Sequence, residues 1–129
     1  MAIRIPAVAG SFYEARPDRL EKNVRSHLPP DEKAERAFGA IVPHAGYVYS
    51  GPVAGAVYAR LRIPSTCIIL CPNHNGRGAP AALDPSDAWR TPLGDVPVDR
   101  RLADRLLALA PSLEQDAGAH LREHSLEVQ

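Results

Sequence analysis

The pattern that decides the fold lies in residues 38–76, FGAIVPHAGYVYSGPVAGAVYARLRIPSTCIILCPNHNG. It contains two short apolar runs, FGAIV at 38–42 and STCIILC at 65–71. Neither run alternates between apolar and polar residues, which is typical of parallel strands buried on both faces. The two runs therefore predict neighbouring strands in the interior of a parallel sheet.

The segment between the two runs predicts a turn followed by a helix. Small residues in HAGYVYSG, at 44–51, favour a tight turn, and the helix is expected to begin at Pro52 with Ser50 or Gly51 as its N-cap. Apolar residues recur at helical spacing after the proline: Val53, Val57, Tyr58 and Leu61. Strand, helix and strand together form a βαβ unit, and such crossovers are right-handed in nearly all known cases.

The 13 prolines limit the length of the remaining elements. We expect a helix over 17–28, a polar linker over 30–36, a hairpin over 88–99 turning at Pro92–Gly94, a helix over 99–110 capped by Asp99, and the start of a further helix over 119–129. The 129 residues therefore predict a single α/β domain, with a mostly parallel sheet flanked by helices.

Composition excludes several classes of function. The 15 basic residues balance 15 acidic ones, which argues against nucleic-acid binding through bulk positive charge. No apolar run approaches the roughly 20 residues of a membrane span, and the N-terminus lacks the apolar core of a secretory signal. We therefore expect a cytoplasmic protein with no membrane and no nucleic-acid partner.

The two cysteines, Cys67 and Cys71, lie in the second predicted strand. Four residues of strand separate their Cα atoms by roughly 13 Å, beyond the ~7 Å limit for a disulfide. Both are expected to be thiols, with Cys67 packed inside. Cys71 lies at the strand end, where it is either a small buried residue or a thiolate ligand.

Two histidines follow the predicted strands at the same edge of the sheet. His44 comes two residues after the first strand, and His74 comes three residues after the second. Because parallel neighbours lie about 4.8 Å apart and ligands gather at the carboxyl ends of such strands, both imidazoles can reach one ion. The alternative is that both are ordinary loop histidines.

Other residues extend this candidate site. His124 is a third candidate, and Glu123 is either a carboxylate ligand or a favourable charge at a helix start. Imidazole and carboxylate ligands suit iron, zinc or copper, and two histidines with one carboxylate are typical of non-haem iron(II). Tyr47 and Tyr49 are either hydrogen-bond donors to a substrate or loop anchors. His27 and His120 have no such placement and are expected to be solvated.

Five blocks of sequence carry a family resemblance: RIPAVAGSFY at 4–13, PHAGYVYSGPVAGAVY at 43–58, LCPNHNG at 70–76, WRTPLGDVPVD at 89–99 and EHSLEVQ at 123–129. Together they resemble the Memo-like family, whose prokaryotic members are called AmmeMemoRadiSam system protein B. The resemblance implies a three-layer αβα fold similar to class III extradiol dioxygenases. It also implies that this sequence is the N-terminal half of the family's domain, with an incomplete sheet.

The resemblance assigns roles to several residues. His44 and His74 become ligands of iron(II), with copper or zinc as alternatives, and His124 becomes the candidate acid or base of the same cleft. The residues expected to line the cleft beside a small-molecule substrate are Tyr47, Tyr49, Asn73 and Glu123. Further family ligands lie beyond residue 129, and the family name implies a pathway shared with an AMMECR-domain protein and a radical SAM protein.

Two functions from different classes follow from these observations. The first is a metal-dependent, dioxygenase-like oxidoreductase, and the second is a non-catalytic protein that binds metal or a partner in the same cleft. Oxygen consumption separates the two. A third expectation is that this chain alone is inactive and poorly stable, because half a sheet leaves an edge strand and an apolar face uncovered.

Overall fold

The computed structural model describes residues 1–30 and 33–129. In chain order the elements are β1 (Ile3–Arg4), α1 (Pro17–His27), α2 (Tyr47–Ala59), β2 (Ala82–Leu83), β3 (Ala88–Thr91), β4 (Gly94–Pro97), α3 (Arg100–Leu109), β5 (Glu114–Gln115) and α4 (Ala117–His120). Residues 31 and 32 of the predicted polar linker lie outside the described residues. No helix in the described ranges has the length and apolar character that a membrane crossing requires.

The fold is α/β, as predicted, and its described strands form two small sheets. One sheet has the order β1-β3-β4, in which β1 pairs with β3 in parallel and β3 pairs with β4 antiparallel. The other consists of β2 and β5 in parallel. The β3–β4 hairpin turns where the sequence predicts, with Thr91 opposite Gly94 across a two-residue loop.

Two helices form where the sequence predicts them. Proline at the first position favours the start of α1 at Pro17. The helix buries Leu20 and exposes most of its polar residues. The carboxylate of Asp99 accepts the backbone N–H of Leu102 at 3.0 Å and caps α3, since that N–H has no partner inside the helix.

The predicted start of α2 is wrong. The helix begins at Tyr47, five residues before Pro52, and its N-cap is Gly46 rather than Ser50 or Gly51. A tertiary contact holds the early turn, since the N–H of Tyr47 donates to the Phe12 carbonyl at 2.8 Å. A local bond supports it, in which the Ser50 hydroxyl donates to the Ala45 carbonyl at 3.0 Å. Local propensity at HAGYVYSG therefore yields to contacts with a distant segment.

The two predicted buried strands are the largest error. In the described chain, residues 38–42 and 65–71 belong to no ladder, and a single parallel bridge joins Glu35 to Leu61 just ahead of them. Their apolar side chains are exposed: Phe38, Ile41 and Leu70 are each at least 90% accessible. A segment that is apolar on both faces needs covering layers before its ladder is stable. The described residues supply no such cover.

The further helix predicted over 119–129 is also wrong. The last helix, α4, ends at His120, and turns follow to Gln129. Buried Ser125 and Val128 hold these turns against the rest of the molecule. The apolar residues Leu126 and Val128 lie in turns that are packed on one side, which the sequence pattern alone does not distinguish from a helix.

The apolar core lies between the N-terminal segment, α1 and the C-terminal turns. Its buried residues are Tyr13, Leu20 and Val128, and Val8, Ala9, Phe12, Val24 and Tyr47 pack against them. His27 is half-buried between α1 and α2, so the prediction that it is solvated is wrong. A Cβ at Gly55 would lie 2.0 Å from the His27 carbonyl oxygen, which explains why glycine occupies this close helix crossing.

Candidate metal centre

Three imidazole rings converge at the site that the sequence predicts. The ring centroids of His44 and His74 are 5.2 Å apart, those of His74 and His124 are 4.5 Å apart, and those of His44 and His124 are 6.1 Å apart. Each ring comes from a different loop: one follows residues 38–42, one follows residues 65–71, and one lies in the C-terminal turns. The convergence arises although the preceding segments form no ladder.

Glu123 is the polar centre of this cluster. Only 4% of the residue is exposed, and its two carboxylate oxygens accept five hydrogen bonds. The donors are the ring and backbone N–H of His74 at 2.8 and 2.6 Å, the Asn75 amide at 3.2 Å, and the backbone N–H groups of His124 and Ser125 at 3.0 and 2.9 Å. Its hydrogen-bonding capacity is therefore used within the protein.

The carboxylate fixes which ring nitrogen of His74 carries a proton. Burial of Glu123 favours its neutral acid, but hydrogen bonds from the His74 ring and from the Ser125 and His74 backbones outweigh burial and lower its pKa to about 2. An ionised carboxylate only accepts hydrogen bonds, so Nδ1 of His74 must donate. Nε2 of a neutral His74 then keeps its lone pair, which is the form that binds a metal.

The surroundings of His124 favour its neutral form by lowering its pKa. Burial is the main cause that lowers the pKa of this imidazole, and the nearby His74 and His44 rings add to the effect against the opposing charge of Glu123. The ring of Phe12 packs against His124, with centroids 4.5 Å apart. His124 is therefore a neutral nitrogen donor or base with an apolar wall beside it.

Atoms suited to a metal occur together here. Ligand atoms of His74, Glu123 and His124 lie within 4.8 Å of one another, and the His44 ring stands beside them. Since the Glu123 oxygens are already engaged, the donor set that remains is imidazole. Imidazole nitrogen suits iron, copper and zinc, so the residues present fit the group that the sequence predicts.

Two other predicted site residues, Tyr47 and Asn73, have structural partners instead, and a third, Tyr49, points to solvent. The Tyr47 hydroxyl donates to the Val128 carbonyl at 2.9 Å, which corresponds to the loop-anchoring alternative. Tyr49 is 84% exposed on α2. The Asn73 side chain organises its own loop, because it accepts the backbone N–H groups of Asn75 and Gly76 and donates to the carbonyl of Arg77.

The cysteines are both thiols, as predicted. Burial raises the pKa of Cys71, which opposes formation of the thiolate that binds metal. Cys67 is exposed, so the prediction that it packs inside is wrong, for the same reason that its strand is uncovered.

Sequence reasoning missed four residues that support the site. Asn75 and Ser125 bind the Glu123 carboxylate, and Arg4 and Glu127 form a buried ion pair next to it. A charged pair separated by more than a hundred residues leaves no local pattern. The prediction that His120 is solvated is wrong too, since its Nε2 donates to the Ala82 carbonyl at 3.1 Å and its ring meets Trp89.

Comparisons with a family model and with individual proteins point to the same family. A family model described as "Memo-like protein" matches residues 4–129. A "MEMO1 family protein" of Methanosarcina barkeri is 48% identical over 128 residues, covering 98% of this chain and 47% of the relative. Proteins described in the same words are 43% identical in Sulfurisphaera tokodaii, covering 98% of this chain and 50% of the relative, and 44% identical in Aquifex aeolicus, covering 100% and 48%. The chain thus spans about half the length of the curated relatives it matches.

Proposed function

The chain is a member of the Memo-like family. We propose that its histidine cluster supplies ligands to a non-haem metal centre. The observation that carries the proposal is the convergence of His44, His74 and His124, with Glu123 holding the proton on Nδ1 of His74. A carboxylate that orients a ligating histidine in this way is a regular feature of metal sites.

Iron(II) is the proposed metal, with copper and zinc as alternatives that the same donors accept. Bound iron would supply Lewis acidity and redox capacity to the cleft. His44 and His74 would hold it through neutral ring nitrogens. His124, whose pKa is lowered by burial, would accept a proton from a substrate hydroxyl.

The proposed substrate is a small aromatic molecule. The Phe12 ring beside His124 offers an apolar face against which a second flat ring can pack. Oxidation of such a molecule by O₂ is proposed for a protein of the relatives' full length, since this chain spans about half of it. The histidine cluster would be the contribution of residues 1–129.

Metal content tests the centre directly. The chain is purified without oxygen, supplied with Fe(II), and its metal is measured by plasma mass spectrometry. We expect one iron per chain, and loss of stoichiometric iron in His44→Ala and in His74→Ala. His120→Gln is the matched control, because its amide can still donate to the Ala82 carbonyl and it lies outside the cluster. Stoichiometric iron in both alanine variants would refute the assignment.

Oxygen consumption then separates catalysis from metal binding alone. An oxygen electrode records uptake by an iron-loaded version extended to the relatives' length, with catechol as the probe. We expect uptake that falls by about 10²–10⁴-fold in His124→Ala, the range ascribed to a general base. Bound iron without uptake would favour the non-catalytic alternative.

A further inference from the structure

Arg4 is a buried cation behind the histidine cluster. It lies on β1 with 5% of its surface exposed, and its guanidinium stands 4.3 Å from the centre of the Trp89 ring. Nη1 pairs with the Glu127 carboxylate. Nη2 donates to the carbonyls of Glu123 at 2.7 Å and His120 at 2.9 Å, and Nε donates to His120 at 3.3 Å. Each nitrogen of the guanidinium therefore has a partner.

These bonds hold the backbone on which the site is built. Arg4 fixes the carbonyl of Glu123, whose side chain in turn fixes the ring of His74 and the backbone N–H of His124. His124 directly follows Glu123 in the chain, and the His74 ring is one hydrogen bond away from the Glu123 carboxylate. Displacement of the Glu123 backbone would therefore move the acceptor of the His74 ring proton.

Glu127 extends the same restraint to the N-terminal segment. Its carboxylate accepts the backbone N–H groups of Ala7 at 2.8 Å and Val8 at 3.0 Å and the hydroxyl of Tyr13 at 2.6 Å. These residues flank Phe12, whose ring packs on His124. Arg4 and Glu127 together tie the N-terminal segment to the turns that carry Glu123 and His124.

We infer that Arg4 is a positioning residue of the proposed metal centre: it sets the Glu123 backbone so that the carboxylate holds Nδ1–H of His74. That a metal binds here rests on the proposed function, whereas the positioning of Glu123 by Arg4 rests on the hydrogen bonds described above. Lysine cannot replace arginine here, since one ammonium group neither reaches three acceptors in a plane nor stacks as a flat ion on Trp89. Outer-shell partners of this kind typically change metal affinity 10–100-fold.

The test uses Arg4→Lys, which keeps the charge beside Glu127, and Arg100→Lys as its matched control. Arg100 is also half-buried and donates to two backbone carbonyls, those of Pro85 and Ser86, away from the cluster. The first readout is the ¹⁵N–¹H NMR signal of the His74 ring in metal-free protein, which reports its tautomer. We expect the Nδ1–H form in the parent and in Arg100→Lys, and a mixture of tautomers in Arg4→Lys.

The second readout is Fe(II) affinity measured anaerobically against a competing chelator. We expect Arg4→Lys to bind about 10–100-fold more weakly at unchanged stoichiometry. If the parent binds no Fe(II), the proposed function fails while the NMR readout still decides the role of Arg4. An unchanged His74 signal in folded Arg4→Lys, or equal effects in Arg100→Lys, would overturn the inference.

A second variant covers the case in which Arg4→Lys does not fold. Trp89→Phe keeps an apolar ring in the sheet but weakens the face on which the guanidinium stacks. We expect the same change in the His74 signal, and about a two- to fivefold loss of Fe(II) affinity. No change in either readout would overturn the inference as well.

Discussion

The turns at 121–129 and the two apolar segments at 38–42 and 65–71 all carry sequence patterns that predict regular elements, but different contacts hold the two regions. The C-terminal turns are fixed by buried polar groups, chiefly Glu123 and Glu127, whose partners lie far away in the chain. The apolar segments have exposed side chains and one parallel bridge beside them. In these two regions, therefore, the backbone is held in place by buried hydrogen-bonded polar groups, and a high content of apolar residues is not enough to hold it.

The largest effect is expected from removing the centre of that network. Glu127→Ala deletes a carboxylate whose side chain is 1% exposed and leaves Arg4 as an unpaired buried cation. Breaking a buried pair in this way costs about 3–5 kcal/mol of unfolding free energy. Urea denaturation followed by circular dichroism measures the loss.

The control for this variant is an ion pair at the surface. Glu21 pairs with Arg25 one turn apart on α1, with both side chains more than half exposed. Glu21→Ala should cost only about 0.3–0.5 kcal/mol. Equal losses in the two variants would mean that the buried network does not dominate the order of the C-terminal turns.

What could be predicted from sequence were the features that depend on neighbouring residues. Asp99 caps α3, and the Pro92–Gly94 turn sets the register of the hairpin. The approach of His44 to His74 was predicted from strand geometry, yet it arises without the ladder on which that argument relied.

The features that could not be predicted depend on contacts distant in sequence. The start of α2 is held by the Phe12 carbonyl, which HAGYVYSG does not reveal. Arg4 and Glu127 lie 123 positions apart, and each looks like an ordinary surface charge in sequence. Whether an apolar run becomes a buried strand depends on which layers cover it. The pattern at 38–42 therefore indicates a propensity for strand, but it does not reveal which segment would pair with it or cover it.

Acid should weaken the polar network selectively. Burial of Glu127 opposes ionisation, but hydrogen bonds from Tyr13, Ala7 and Arg4 outweigh it and lower its pKa. The stabilisation is then complete above the unfolded pKa of about 4.3 and is lost as the pH falls through the lower folded pKa. The urea midpoint should fall with pH in this acidic range.

The variant Glu127→Gln identifies the group responsible. It removes the titrating carboxylate, so its urea midpoint should start lower at pH 7 and decline less steeply below pH about 4.3. Glu123 remains in both proteins and contributes equally to each curve. Parallel curves for the parent and for Glu127→Gln would show that this carboxylate does not drive the acid response.

Substitutions in the apolar segments are expected to have the smallest effect on folding stability. Their main effect is expected on self-association of the chain. Ile41 and Leu70 are 96% and 90% exposed, so Ile41→Lys and Leu70→Lys should change the unfolding free energy by no more than about 0.5 kcal/mol. Exposed apolar side chains favour self-association, and sedimentation velocity at rising concentration should show that each lysine reduces it. Leu121→Lys is the control, since Leu121 is 65% exposed but lies in the C-terminal turns. If Ile41→Lys destabilised the chain as strongly as a core substitution, the contrast between the two regions would fail, because the segment would then be packed in solution.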